Sequence, residues 1–190
     1  MAPYKLLTGL LVVSLLSVNW RISNTRRVST KIPGSTDPNA IIQALHDHKT
    51  FIALNPVIVD LAQVPTDPVI YEDEWFQTPE TQDSIETYMI NSIITIIPGL
   101  DWGKQNIRFP TWLRSFETGV KTKADAPFGV TVGSQLSVQP DNTGGWMLVV
   151  DRYVRCVWWV MPFVAWTYDD VYANIARDLL KLAGMQGGGN

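Results

Sequence analysis

The sequence predicts an α+β fold built on an antiparallel sheet. Two observations carry this. Segments rich in β-branched and aromatic residues follow one another through the middle of the chain with no helical segment between them. Helical periodicity is confined to one early segment and to the C-terminal end. Strands and helices are therefore segregated rather than alternating, and no internal repeat or domain linker interrupts them, so a single α+β domain is expected.

In chain order, residues 25–34 (TRRVSTKIPG) alternate enough for a first strand. Ser35 or Thr36 then caps a helix, with Asp37 and Pro38 suited to its first turn. Ile41, Ile42 and Leu45 form its apolar stripe, and Asn55-Pro56 ends it. Residues 57–64 read as a strand, 65–68 as a turn, and 69–76 (VIYEDEWF) as a further strand carrying an acidic cluster, Glu72-Asp73-Glu74, expected to be solvated. The polar QTPETQDS is a loop. Residues 85–97 form a strand closed by Pro98-Gly99, and 106–125 form one or two strands with Pro110 at an edge or bulge. Residues 129–140 are a strand, 141–145 a turn, and 146–164 the longest strand. The final segment, TYDDVYANIARDLLKLAG, is a helix. Thr167 and Asp170 resemble a capping box, Val171, Ile175, Leu179 and Leu182 form a stripe, and Gly184 suits a C-terminal stop. Residues 185–190 are a flexible tail.

Composition narrows the function. Hydrophobic residues make up 46% of the 190 and charged residues 17%, which fits a large core or an apolar cavity. The net charge of −3, with no basic patch, argues against nucleic-acid binding. The single cysteine, Cys156, excludes an internal disulfide and reads as a buried structural thiol. The two histidines, His46 and His48, fall on different sides of a helix and read as polar residues near its end rather than metal ligands. No phosphate-cradling loop or G-x-S-x-G motif is present, so neither a metal nor a cofactor is expected.

The N-terminus stands apart. Lys5 precedes an uncharged run of 13 residues, Leu6 to Val18, short of the roughly 20 that cross a bilayer and close to a signal-peptide core. Arg21, Arg26 and Arg27 follow it, which would hold the rest of the chain on the cytosolic side. Residues 1–22 are thus read as an uncleaved membrane anchor in preference to a cleaved signal, which would route the chain to the secretory pathway. A misassigned start is the third alternative. Oligomeric state is not legible.

Three segments carry a family resemblance: LHDHKTFIALNP (45–56), APFGVTVGSQLSV (126–138) and CVWWVMPFVAWTYDDVYANI (156–175). With the element order, they make residues 25–184 similar to the START-like (SRPBCC, helix-grip) superfamily, and more narrowly to a fungal family of unknown function. The resemblance implies that the curved antiparallel sheet wraps around the long C-terminal helix and encloses a cavity. It also implies a carrier of hydrophobic ligands or a polyketide cyclase.

Adjacent tryptophans on a strand point to opposite faces. Within 146–164, Val150, Val154, Cys156, Trp158 and Val160 share one parity, interrupted by Arg152. Asp151, Tyr153, Arg155, Val157 and Trp159 share the other. Either the first set is the inner wall and Trp159 is covered by a loop, the anchor or a membrane, or the second set faces inward and supplies a polar site. Asp60, Glu86 and Asp151 lie on predicted strands. A carboxyl facing an apolar cavity has a raised pKa and suits general acid catalysis, with Tyr88 or Tyr153 steadying an oxyanion. The candidate catalytic set is therefore Asp60, Glu86, Asp151 and Tyr153. The candidate substrate contacts are Trp75, Tyr88, Trp158, Trp159 and Phe163. The expected function is a cofactor-independent tailoring enzyme of fungal secondary metabolism, directing cyclisation or epoxide opening of a polyketide or terpenoid. The alternative is a non-catalytic carrier of a hydrophobic ligand.

Overall fold

The structure is a computed structural model that describes residues 20–77, 84–95 and 104–187. The run Leu6–Val18, the Pro98-Gly99 closure and the end of the tail lie outside the described residues. Seven strands form one sheet in the order β1-β7-β6-β5-β4-β3-β2, each antiparallel to its neighbours. They are β1 (Arg21–Ile32), β2 (Ile58–Val64), β3 (Glu86–Thr95), β4 (Lys104–Phe116), β5 (Gly119–Ala126), β6 (Val130–Pro140) and β7 (Trp146–Val157). β1 begins four residues earlier than its alternation suggests because it pairs with β7 along its whole length, from Arg21 opposite Val157 to Ile32 opposite Trp146.

The early helix is two helices, α1 (Pro38–His46) and α2 (His48–Ala53). Asp47 divides them: it ends α1, and its carboxylate accepts from the Thr50 amide at 3.1 Å to cap α2. The strand expected at 69–76 does not form. Asp67 accepts from the Val69 amide at 3.0 Å and Asp73 from the Trp75 amide at 2.9 Å, and these side-chain bonds turn the segment into a short 3₁₀ helix, Pro68–Glu72, and a loop. That loop lies on the convex face of the sheet, where Ile70, Phe76 and Ile85 are buried against Trp75 and Trp112. Residues 106–125 form the β4–β5 hairpin. Pro110 sits where β4 loses its β5 partner, since that pairing starts at Thr111, so its missing amide costs no ladder bond on that side.

The largest departure is at the C-terminal end. β7 stops at Val157, and the last helix, α3, runs Met161–Gly187, six residues ahead of the expected Thr167 start. The Val160 carbonyl accepts from the amides of Phe163 and Val164, each at 3.1 Å, and Pro162 suits a first helical turn but not a central strand. Thr167 is no cap: its hydroxyl donates back to the Phe163 carbonyl at 2.9 Å. Gly184 lies inside α3 rather than beyond its end.

α3 lies across the concave face with α1 beside it. Val171, Ile175, Leu179 and Ala183 of α3 and Ile41 and Leu45 of α1 pack onto Leu113, Val120, Leu136, Val138, Leu148 and Val150 of the sheet. A curved antiparallel sheet gripping one long helix is the helix-grip arrangement. No helix among the described residues is long and apolar enough to cross a membrane.

Candidate functional site

Toward the N-terminal half of α3 the packing opens into a cavity of about 480 Å³, within the range that holds small organic molecules. The concave face supplies one wall, including Ile90, Phe109, Leu113, Ala124 and Val132. α2 supplies Phe51 and Ile52, and α3 supplies Val164, Tyr168, Val171, Tyr172 and Ile175. Trp159, Phe163 and Phe128 border it and are also exposed, so they mark its mouth. No Asp, Glu, Lys, Arg or His lines it among the described residues.

Its polar groups are few and mostly occupied. The Ser92 hydroxyl donates to the Val57 carbonyl at 2.9 Å. Thr122 and Ser134 share a hydroxyl–hydroxyl bond of 2.7 Å, Ser134 bonds the Tyr172 hydroxyl, and Tyr172 reaches Tyr168 at 3.5 Å. This chain of hydroxyls crosses from the sheet to α3. Burial and the neighbouring Tyr172 push the Tyr168 phenol well above its ordinary pKa, so it stays protonated. Arg152 lies behind it, its guanidinium 5.6 Å from the Tyr168 ring centre and paired with Asp169, which also pairs with Arg26. Burial of that cation is tolerated because the carboxylate accompanies it. The Thr111 hydroxyl is screened from solvent and has no hydrogen-bond partner among the described residues.

β7 settles the parity question as far as Val157. Val150, Arg152, Val154 and Cys156 are buried and Asp151, Tyr153 and Arg155 are not, so the first set faces inward. Beyond Val157 the strand has ended and alternation no longer applies. Trp159 borders the cavity, whereas Trp158 lies outside it, its amide donating to the Trp20 carbonyl at 3.0 Å.

The residues read from the sequence as catalytic are not brought together. A register shift between Ile58 and Asp60 places Asp60 opposite Asn91 and Leu61 opposite Ile90. The bulge thus breaks the parity of Asp60 with Ile58, and the carboxylate is exposed. Asp151 faces the convex side, 3.4 Å from Arg27. Tyr153 lies there too, across Gly133, where a Cβ would sit 2.3 Å from the tyrosine ring. Trp75 packs against Tyr153 edge-on with ring centres 4.9 Å apart, and its indole donates to the Thr122 carbonyl at 3.0 Å. A shallow convex groove of about 360 Å³ joins Thr25, Arg27, Trp75, Asp151 and Tyr153. Of the expected substrate contacts, Trp159 and Phe163 border the cavity, and Trp75, Tyr88 and Trp158 do not.

Glu86 and Tyr88 belong to a separate cluster. The Tyr88 hydroxyl donates to Glu86 at 2.7 Å, Glu86 bonds His48 Nδ1 at 2.9 Å, and His48 Nε2 bonds the Ser115 hydroxyl at 2.9 Å. The order serine–histidine–carboxylate matches a hydrolase triad, but Ser115 and His48 are buried and neither borders the cavity. The cluster ties α2 to β3 and β4. His48 was legible only as a helix-end residue. Its place one helical turn before Ile52, on the face that α2 buries, is the signal that marks it as inward. Tyr168 and Tyr172, four apart on α3, carry the same signal. No group of three metal-ligating side chains converges among the described residues.

Comparison with known proteins places this geometry. Ara h 8.0201 superposes with a TM-score of 0.52 at 11% identity, covering 89% of this chain and 100% of that one. The di-domain ARO/CYC StfQ of the steffimycin biosynthetic pathway gives 0.61 at 8% identity, covering 88% of this chain and 53% of that one. TTHA0849 from Thermus thermophilus gives 0.51 at 9% identity, covering 86% and 97%. At such identities the likeness is one of fold, the START-like helix grip. A search of curated proteins finds no match. One family model matches residues 21–185, the whole sheet and nearly all of α3, and the chain therefore belongs to that family, the domain of unknown function DUF7053.

Proposed function

We propose that the protein carries a hydrophobic small molecule in the cavity beneath α3. The observation that carries this is the wall itself: a hollow of about 480 Å³, apolar over most of its surface, with no Asp, Glu, Lys, Arg or His among its described lining residues. Such a wall binds by removing apolar surface from water and offers few groups for acid–base chemistry. Two of the neighbours in fold, Ara h 8.0201 and the ARO/CYC StfQ, are compatible with it. Titration of the full chain with 1-pyrenemethanol, read by energy transfer from tryptophan, is expected to show saturable one-to-one binding in the micromolar range, about −8 kcal/mol. Linear, unsaturable partition would overturn the carrier reading.

A second reading, cyclisation or epoxide opening on a polyketide or terpenoid of fungal secondary metabolism, is favoured by one observation: the hydroxyl chain Thr122–Ser134–Tyr172–Tyr168 reaches the cavity. With Asp60, Glu86 and Asp151 away from the wall, the proton donor would be a phenol rather than a carboxyl. Tyr172→Phe is then expected to cut formation of the cyclised product about 100-fold while leaving probe affinity within a few fold. Metabolite profiling of the producing organism checks this, and an unchanged product in the variant strain would remove the catalytic reading.

A further inference from the structure

Among the described residues, six large apolar side chains remain exposed at one end of the molecule: Trp20, Phe128, Trp158, Trp159, Phe163 and Trp166. The topology gathers them. β1 starts beside the end of β7, with Arg21 opposite Val157, and the amide of Trp158 donates to the carbonyl of Trp20. Phe128 sits in the β5–β6 turn, and Phe163 and Trp166, three apart, share a side of α3. Because Phe128, Trp159 and Phe163 also line the cavity, the group forms a collar around its mouth. Exposure is extreme for such residues, 69% for Trp20, 66% for Trp166 and 62% for Phe128. Phe128 holds its outward position at a φ of +63°, a left-handed backbone that aromatic residues rarely adopt. Contiguous exposed aromatics around a mouth mark an interaction surface rather than ordinary solvent-facing structure.

We propose that this collar is a bilayer-docking surface that seats the cavity mouth at the headgroup–acyl boundary. Three features choose lipid as the occupant. Indole is the side chain that favours that boundary, with an apolar body and one polar N–H. The uncharged run Leu6–Val18 joins the domain at Trp20, within the collar. The charges on the elements that carry the collar are of both signs, Arg21 and Arg155 on β1 and β7, Arg26 paired with Asp169, and Asp125 and Asp170 on β5 and α3, so the attraction does not depend on anionic headgroups.

The test uses the full chain with one surface cysteine, Trp166→Cys in the collar or Asn142→Cys in the exposed β6–β7 turn at the opposite end, each labelled with an environment-sensitive nitrobenzoxadiazole. The native Cys156 is buried. On adding vesicles of pure phosphatidylcholine, the label at position 166 is expected to brighten several-fold and shift to the blue, at low and high salt alike, while the label at 142 stays constant. Two outcomes overturn the proposal. In one, the chain sediments with the vesicles while the 166 label stays silent, so that the N-terminal run alone binds. In the other, the 166 label shifts without vesicles, either in proportion to protein concentration, which indicates a second copy, or independently of it, which indicates cover by the chain's own run.

Discussion

Ala124→Trp is expected to abolish probe binding while leaving the fold intact. Ala124 is buried on the concave face of β5, opposite Thr111, and lines the cavity. An indole there projects into the hollow. In a filled core such a change costs about 1–3 kcal/mol in overpacking. Here the ring enters space that no described side chain occupies, so the melting temperature is expected to hold or rise. The affinity for 1-pyrenemethanol should fall at least about 100-fold, roughly 2.7 kcal/mol, read in the same titration beside a far-ultraviolet circular dichroism spectrum. Wild-type affinity in the plugged variant would place the ligand elsewhere, with the convex groove at Trp75 and Tyr153 the next site to block.

The opposite end of the molecule should respond the other way. His48→Ala removes the link between Glu86 and Ser115 and leaves a buried hydroxyl and a partly buried carboxylate short of a partner. Each lost partner costs about 1–3 kcal/mol, so the destabilisation should be about 3 kcal/mol. For a chain of this size that lowers the melting temperature by about 6–12 °C. Probe affinity should be unchanged within about twofold, because no member of the cluster borders the cavity. Acid sensitivity reports the same cluster. Burial pushes the Glu86 carboxyl up, but the hydrogen bonds from Tyr88 and His48 outweigh it and leave the group below its ordinary value. The unfolded chain therefore takes up this proton first as the pH falls. The contribution of Glu86 to stability is full above the ordinary carboxylate pKa and is lost as the pH drops through the lowered one. Since Glu86 is about a third exposed, solvent weakens the effect. Glu86→Gln should flatten the acid limb of urea unfolding measured between pH 7 and 3.5. A melting temperature within 1 °C of wild type for His48→Ala would show that the cluster fastens nothing.

How far the sequence carries the fold depends on which forces were local. The stripe Val171, Ile175, Leu179 was readable because helical spacing alone puts those residues on one side, and the structure buries all three. The inward face of β7 was readable as one of two parities, and Arg152 shows why charge alone could not choose: it faces inward because Asp169 meets it from α3. The segment 69–76 misled because its Val-Ile-Tyr triplet has strand propensity, whereas Asp67 and Asp73 bond their own backbone. The end of β7 misled because Trp158-Trp159-Val160 continues the apolar run, and only the proline at 162 marks the change to helix. Asp60 misled through a single inserted residue. Of the cavity's hydroxyl chain the sequence marks only the Tyr168–Tyr172 pair on one side of α3, since its link to Ser134 and Thr122 depends on side chains from β5, β6 and α3 meeting in space.

Pro110 divides the sheet mechanically as well as chemically. Ahead of it, from Lys104, β4 pairs with β3 and, among the described residues, with no strand on its other side, and Ile107 and Phe109 of that stretch form part of the cavity wall. β2 backs β3 over much of the same length, from Met89 to Ser92, so the stretch is the open side of a three-stranded ladder rather than a free strand. Local opening of residues 105–110 should therefore cost less than opening of the part of β4 from Thr111 onward, which is laddered on both sides.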